Sequence, residues 1–152
     1  MLKFGMNCFI CDRINLAKNG KNPELVIKLK TGFVFLINSK YYPGYTIFSC
    51  LKHKNEIFDL PNDFKKQFLL EMSVVAEAVN KVFSPKKINY ELLGNLDSHL
   101  HWHIIPRYKN DPNITKSVWG DYIKVKSLKK EPPSKQKISE LKKEVESILK
   151  KT

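Results

Sequence analysis

Between His99 and Pro106 the chain reads His-Leu-His-Trp-His-Ile-Ile-Pro, imidazoles alternating with apolar side chains. Alternation with a period of two marks a β-strand, because successive side chains there point to opposite faces. The spacing predicts a strand over 99–105, with His99, His101 and His103 on one face and Leu100, Trp102 and Ile104 on the other. The apolar face needs burial behind it. A strand rises about 3.3 Å per residue, which puts the outer two histidines about 13 Å apart at their Cα atoms. One zinc ion, bound about 2 Å from each ligand nitrogen, can hardly take all three. The neighbours His99 and His101 can share one. A row of this length matches an extended polyanion such as a phosphate chain. The bland reading, core histidines satisfied locally, fits poorly with three of the chain's four His alternating on one strand.

The remaining pattern is that of an α+β chain. Two β-rich segments, 24–29 and 33–38, flank Thr31-Gly32 as a hairpin would. A third strand is expected over 45–50, after Pro43-Gly44, and a further one over 88–94, with the short polar loop 95–98 leading into the histidine strand. Phe64, Phe68, Met72, Val75, Val79 and Val82 recur at threes and fours, which predicts a helix over 61–83, with Asn62 or Asp63 able to cap it and Pro85 ending it. Ile138, Leu141, Val145, Ile148 and Leu149 predict an amphipathic terminal helix within 134–151, docked on the core or on a second copy. At 152 residues one domain is expected.

Charge narrows the partners. The chain carries a net +12 from 27 Lys and Arg, but only Arg13 and Arg107 are arginines. Groove-reading proteins rely on the arginine fork, whereas lysine alone makes a solvated basic surface that attracts polyanions. Residues 124–152 hold ten Lys and four Glu, half of the surplus. This tail has no Arg and no aromatic residue, so base reading and stacking are not expected, and nucleic acid is not expected as a partner. No apolar run is long enough to cross a membrane, and Asp12 and Arg13 break the apolar stretch of residues 6–10 before it can act as a signal peptide. Three cysteines make no secreted disulfide framework, so a reducing, cytoplasmic setting is expected.

A neutral imidazole nitrogen can attack phosphorus while the other N–H is held by a fixed acceptor, giving a covalent nucleotidyl-histidine that water hydrolyses. Neighbouring imidazoles can bond phosphate oxygens and pass a proton to the leaving group. No metal is needed on that route.

The segment 99–105 resembles the His-φ-His-φ-His-φ-φ signature of the histidine-triad (HIT) superfamily, where φ is apolar. Pro43-Gly44-Tyr45-Thr46-Ile47, followed by Lys52-His53 and Phe58-Asp59-Leu60, is similar to that family's Pro-Gly-His-Thr-Leu, Lys-x-His and Phe-Asp-Leu stretches. Cys8-Phe9-Ile10-Cys11 resembles its N-terminal Cys-Ile-Phe-Cys, and Pro106-Arg107-Tyr108 fits the bacterial type. The likeness spans about residues 6–112 and leaves out the basic tail.

The resemblance implies a five-stranded antiparallel sheet with a long helix, usually dimerised, with an appended C-terminal helix following here. The catalytic nucleotide-binding domain is expected over 1–115 and the basic extension over 116–152. It implies a hydrolase or nucleotidyltransferase that releases a nucleoside monophosphate from a phosphate-linked or amide-linked partner, such as a diadenosine polyphosphate or an AMP-amide. The alternative is a HIT module that binds nucleotide without turnover. By position, His101 is the nucleophile, His99 and His103 orient it and contact phosphate, and Asn95 faces the substrate. Asn38 resembles the ribose-contacting residue, one residue short in spacing. Tyr45 stands where the family usually has His; it can donate a hydrogen bond but carries no proton near neutral pH. The implied partners are a purine nucleotide and a second copy of the chain.

The Cys8-x-x-Cys11 spacing by itself leaves three readings open: half of a tetrahedral zinc site, a redox dithiol, or two small buried hydrophobic groups. The resemblance implies a structural zinc, with His53 and His99 completing the set. Cys50 lies in an apolar strand and reads as core.

Overall fold

A computed structural model of the protein describes residues 8–111, 113–120, 129 and 131–152. Residues 121–128 and 130 of the basic extension lie outside the described residues. In chain order the elements are α1 (Phe9–Lys18), β1 (Leu25–Lys28), β2 (Gly32–Leu36), β3 (Thr46–Cys50), α2 (Asn62–Phe83), β4 (Lys87–Glu91), β5 (His101–Arg107) and α3 (Lys135–Leu149). The strands form one five-stranded sheet in the order β1-β2-β3-β5-β4, and every neighbouring pair is antiparallel.

Alternation sends the two faces of this sheet into two apolar cores. Val34, Leu36, Phe48, Leu100 and Ile104 pack with Phe68, Val75 and Val79 of α2 and with Leu141, Val145 and Ile148 of α3. Phe33, Phe35, Tyr45 and Ile105 pack with Ile10, Ile14 and Ala17 of α1 and with Val118. The expected terminal helix therefore shares the main core. α1 is an element the sequence reading did not foresee, although Ile10, Ile14 and Ala17 have helical spacing and Gly20, at φ +66°, follows its end.

The hairpin turn is held from the far side of the chain. The buried carboxylate of Glu71, on α2, accepts the backbone N–H groups of Lys30 and Thr31 at 3.0 Å each, the Thr31 hydroxyl and the Gln67 amide at 3.0 Å. Gly32 follows because β2 meets β3 too closely for a side chain: a Cβ there would lie 2.2 Å from the Ser49 carbonyl oxygen.

β2, expected over 33–38, already ends at Leu36, and β5, β4 and the cap of α2 differ from expectation too. β5 begins at His101, two residues late, because the Leu100 N–H donates to the Lys54 carbonyl (2.8 Å) and the Leu100 carbonyl accepts from Cys50 N–H (2.9 Å). His99 and Leu100 thus bond to the chain around the end of β3, while β4 reaches only the pair Glu91 with His103. β4 itself stops at Glu91, and Gly94 sits at φ +79° in the loop that follows. α2 is capped by neither Asn62 nor Asp63; the extended Pro61 precedes the first turn without a side-chain bond, and Ser84 ends the helix at φ +49°.

Removing a buried acceptor that serves several donors leaves those donors unpaid in hydrogen bonds. Glu71→Ala is expected to lower the unfolding free energy by about 3 kcal/mol, measured as a shift of the urea midpoint at unchanged m-value.

Candidate active site

β5 is paired on both sides, so its imidazoles start from a rigid backbone. The His101 ring nitrogen Nδ1 lies 2.6 Å from the His99 carbonyl oxygen. A carbonyl only accepts, so Nδ1 carries the hydrogen and Nε2 keeps its lone pair. The same logic applies to His99: its Nε2 lies 2.8 Å from the Cys50 carbonyl, which leaves Nδ1 as the atom with the lone pair. The structure thus sets the tautomers of both rings through main-chain oxygens.

His103 is enclosed. Its Nδ1 lies 2.5 Å from the Tyr45 hydroxyl, its ring centroid is 4.7 Å from that of His101, and the Trp119 ring stands edge-on at 5.3 Å. Burial, and after it the neighbouring His101, lowers the His103 pKa to about 3. Burial, and after it Glu91, pushes the Tyr45 phenol above its usual range. Among the described residues this pair brings a neutral hydrogen-bonded unit to the site.

His99 turns its Nδ1 to a second cluster. The Cys8 and Cys11 sulfurs lie 3.6 and 3.4 Å from it, and Cys11 Sγ lies 3.2 Å from His53 Nδ1. All four donor atoms fall within 4.8 Å of one another. A tetrahedral zinc with bonds of about 2.3 Å to sulfur and 2.0 Å to nitrogen has sulfur-to-nitrogen edges of about 3.5 Å. Two thiols and two imidazoles at this spacing fit that ion and permit a structural zinc. Burial and then the adjoining Cys8 raise the Cys11 thiol to about 11.

The remaining sequence-derived positions lie elsewhere. Asn38 uses its amide on the C-terminal extension, donating to the carbonyls of Glu131 (3.0 Å) and Pro132 (3.4 Å), while its own carbonyl accepts from Lys129 N–H at 2.9 Å. Asn95 is exposed in the loop between β4 and β5. Arg107 is 1% exposed and spends its charge internally, on the Asp111 carboxylate at 2.6 Å, the Asn89 side chain and the carbonyls of Asn113 and Lys116. It clamps the loop after β5.

That loop delivers a residue missed by the sequence reading. Trp119 packs on His103 while its indole N–H donates to the Glu91 carboxylate, which also accepts from the Ser117 hydroxyl. Nothing in the local pattern marks a tryptophan sixteen residues beyond His103. Ser49 was also missed. It is fully buried, it pairs across the sheet with His101, and its hydroxyl has no hydrogen-bond partner among the described residues.

The profile of the HIT domain family matches residues 19–110, and the chain belongs to that family. A HIT-like protein from Methanocaldococcus jannaschii is 26% identical over 114 residues, covering 72% of this chain and 85% of its own length. The crystal structure of a histidine triad protein from Bradyrhizobium japonicum superposes with a TM-score of 0.66 at 26% identity, covering 80% of this chain and 91% of that one. The fold is also that of a Zn-bound histidine triad family protein from Mycobacterium smegmatis, with a TM-score of 0.61 at 15% identity, covering 97% of this chain and 99% of that one. Among the described residues no helix is long and apolar enough to cross a membrane.

The depressed His103 pKa links stability to acid. Its folded value of about 3 lies below the ordinary 6.5, so the fold favours the neutral ring. That contribution is complete above pH 6.5 and is lost as pH falls toward the folded value. Between pH 6 and pH 4 the wild type should lose up to about 1.4 kcal/mol per pH unit relative to His103→Gln, as read from paired urea titrations.

Proposed function

We propose that this chain transfers a nucleoside monophosphate from a phosphate-linked or amide-linked partner to His101 and then to water or a second acceptor. The observation that carries the reading is the 2.6 Å bond from His101 Nδ1–H to the His99 carbonyl, which leaves Nε2 as the nucleophilic atom. In the first step Nε2 attacks phosphorus and the bond to the leaving group breaks, its electron pair departing with that group. Water then attacks the phosphorus, the P–N bond breaks, its pair returns to Nε2, and the water proton passes to solvent.

His103 and Tyr45 line the phosphate side of this reading, and His99 positions His101 through its carbonyl. The substrate is a purine nucleotide and a second copy of the chain is the expected partner. Residues 1–115 would carry the chemistry and 116–152 the extension, whose Lys129, Glu131 and Pro132 bond to Asn38 and argue against a ribose contact from that side chain. Cys8, Cys11, His53 and His99 would hold a zinc ion that fastens the N-terminal segment to the first histidine of the row. That ion would supply structure, with no part in bond breaking.

AMP or GMP release from diadenosine or diguanosine polyphosphates and from the corresponding 5′-phosphoramidates should fall by at least about 10³-fold in His101→Ala. Equal rates in wild type and variant would refute the covalent route, and nucleotide binding without turnover would favour a binding module. Metal analysis of the purified protein is expected to give one zinc per chain, lost in Cys11→Ala.

A further inference from the structure

Each polar group around His101 can be asked what it would give to a departing group. His99 has both ring nitrogens engaged, Nε2 on the Cys50 carbonyl and Nδ1 against the two thiols. His101 gives its Nδ1–H to His99 and attacks with Nε2. His103 is 8% exposed, bonded through Nδ1 to Tyr45 and covered by Trp119. Glu91 is committed to Trp119 and Ser117. Ser49 offers a hydroxyl, which is no acid at neutral pH. Of these groups, the ring not already committed to the nucleophile or to the thiols is His103, and burial holds it neutral.

Leaving groups differ in how much they need one. When a phosphoric anhydride is cleaved, the electron pair of the P–O bond leaves on a phosphate oxygen, a stable anion that requires no proton. When a phosphoramidate is cleaved, the pair of the P–N bond leaves on nitrogen, and an amide anion forms unless an acid protonates it as the bond breaks. General acids contribute about 10²- to 10⁴-fold to such steps.

Building on the nucleotidyl-histidine reading above, we propose that Tyr45, by bonding His103 in a buried pair, makes this centre specific for nucleotides carried on phosphate or another weakly basic oxygen and closes it to those carried on an amine. The Tyr45–His103 unit stabilises charge on the phosphoryl oxygens as a neutral donor. It cannot supply the proton an amine requires, because burial keeps the His103 ring uncharged and the phenol protonated throughout the neutral range. Tyr45 is thereby a specificity-determining residue.

The test compares two leaving groups on one nucleotide. Diadenosine triphosphate and adenosine 5′-phosphomorpholidate are each incubated with the full-length protein and AMP is quantified. The anhydride is expected to show a kcat/KM at least about 10²-fold above that of the amidate, and Tyr45→His should narrow this ratio by about tenfold or more, since an imidazole passes on a proton far more readily than a phenol does. Should Tyr45→His not fold, wild-type rates on adenosine 5′-phosphoryl aryl esters with phenols of graded acidity decide: a steep fall as the phenol becomes more basic is expected. Comparable rates on anhydride and amidate, a flat aryl series, or an unchanged ratio in a folded Tyr45→His protein would overturn the specificity assignment while leaving the nucleotidyl-histidine intact. Absence of AMP from every substrate would overturn both.

Discussion

A single side-chain to main-chain bond, His101 Nδ1–H to the carbonyl of His99, underlies the chemistry this site can perform. It exists because the chain turns out of the regular ladder at residues 99–100. The turn is held in place by bonds from Leu100 to Lys54 and Cys50. The same turn puts the His99 ring on the Cys50 carbonyl, so that its other nitrogen meets the two thiols of the N-terminal segment. One irregularity in the backbone therefore fixes the His101 ring and brings together four side chains whose spacing permits a structural zinc.

The sheet separates the work of stability from that of chemistry. Its α2 and α3 face carries the larger apolar core, while the opposite face carries the histidines, with α1 and the loop after β5 around them. Arg107 makes that division possible: with every donor directed to an internal acceptor, it fixes the loop that brings Trp119 against His103. The one arginine beside the histidine strand is thus part of the scaffold. Among the described residues, no lysine side chain takes part in the hydrogen bonds of His99, His101 and His103.

Much of this was legible in the residues. Period-two alternation showed which side chains of β5 share a face, and the apolar threes and fours of 64–82 located α2 to within a residue. The spacing of Cys8 and Cys11 left half of a zinc site as one of three readings, and the fold brings both thiols to His53 and His99. What could not be read were contacts between distant parts of the chain. Glu71 looks like an ordinary helical carboxylate until β1 and β2 fold their turn onto it. Arg107 reads only as one of two arginines until the loop after it closes on its guanidinium. Asn38 was expected to end its strand and contact ribose, but it lies two residues past β2, and Lys129, Glu131 and Pro132, some ninety residues on, take its hydrogen bonds. Local periodicity reports faces and elements; it holds no information on which remote carbonyl or loop will meet a given side chain.

The central claim is that Nε2 of His101 becomes covalently bonded to phosphorus. Rapid mixing with an adenosine polyphosphate, acid-free quenching and peptide mass spectrometry tests it directly. An adenylyl group on the peptide containing His101, localised to that residue and absent in His101→Ala, is the expected result. Product release with no adduct at any quench time, under conditions where a synthetic adenylyl-histidine survives the workup, would contradict it.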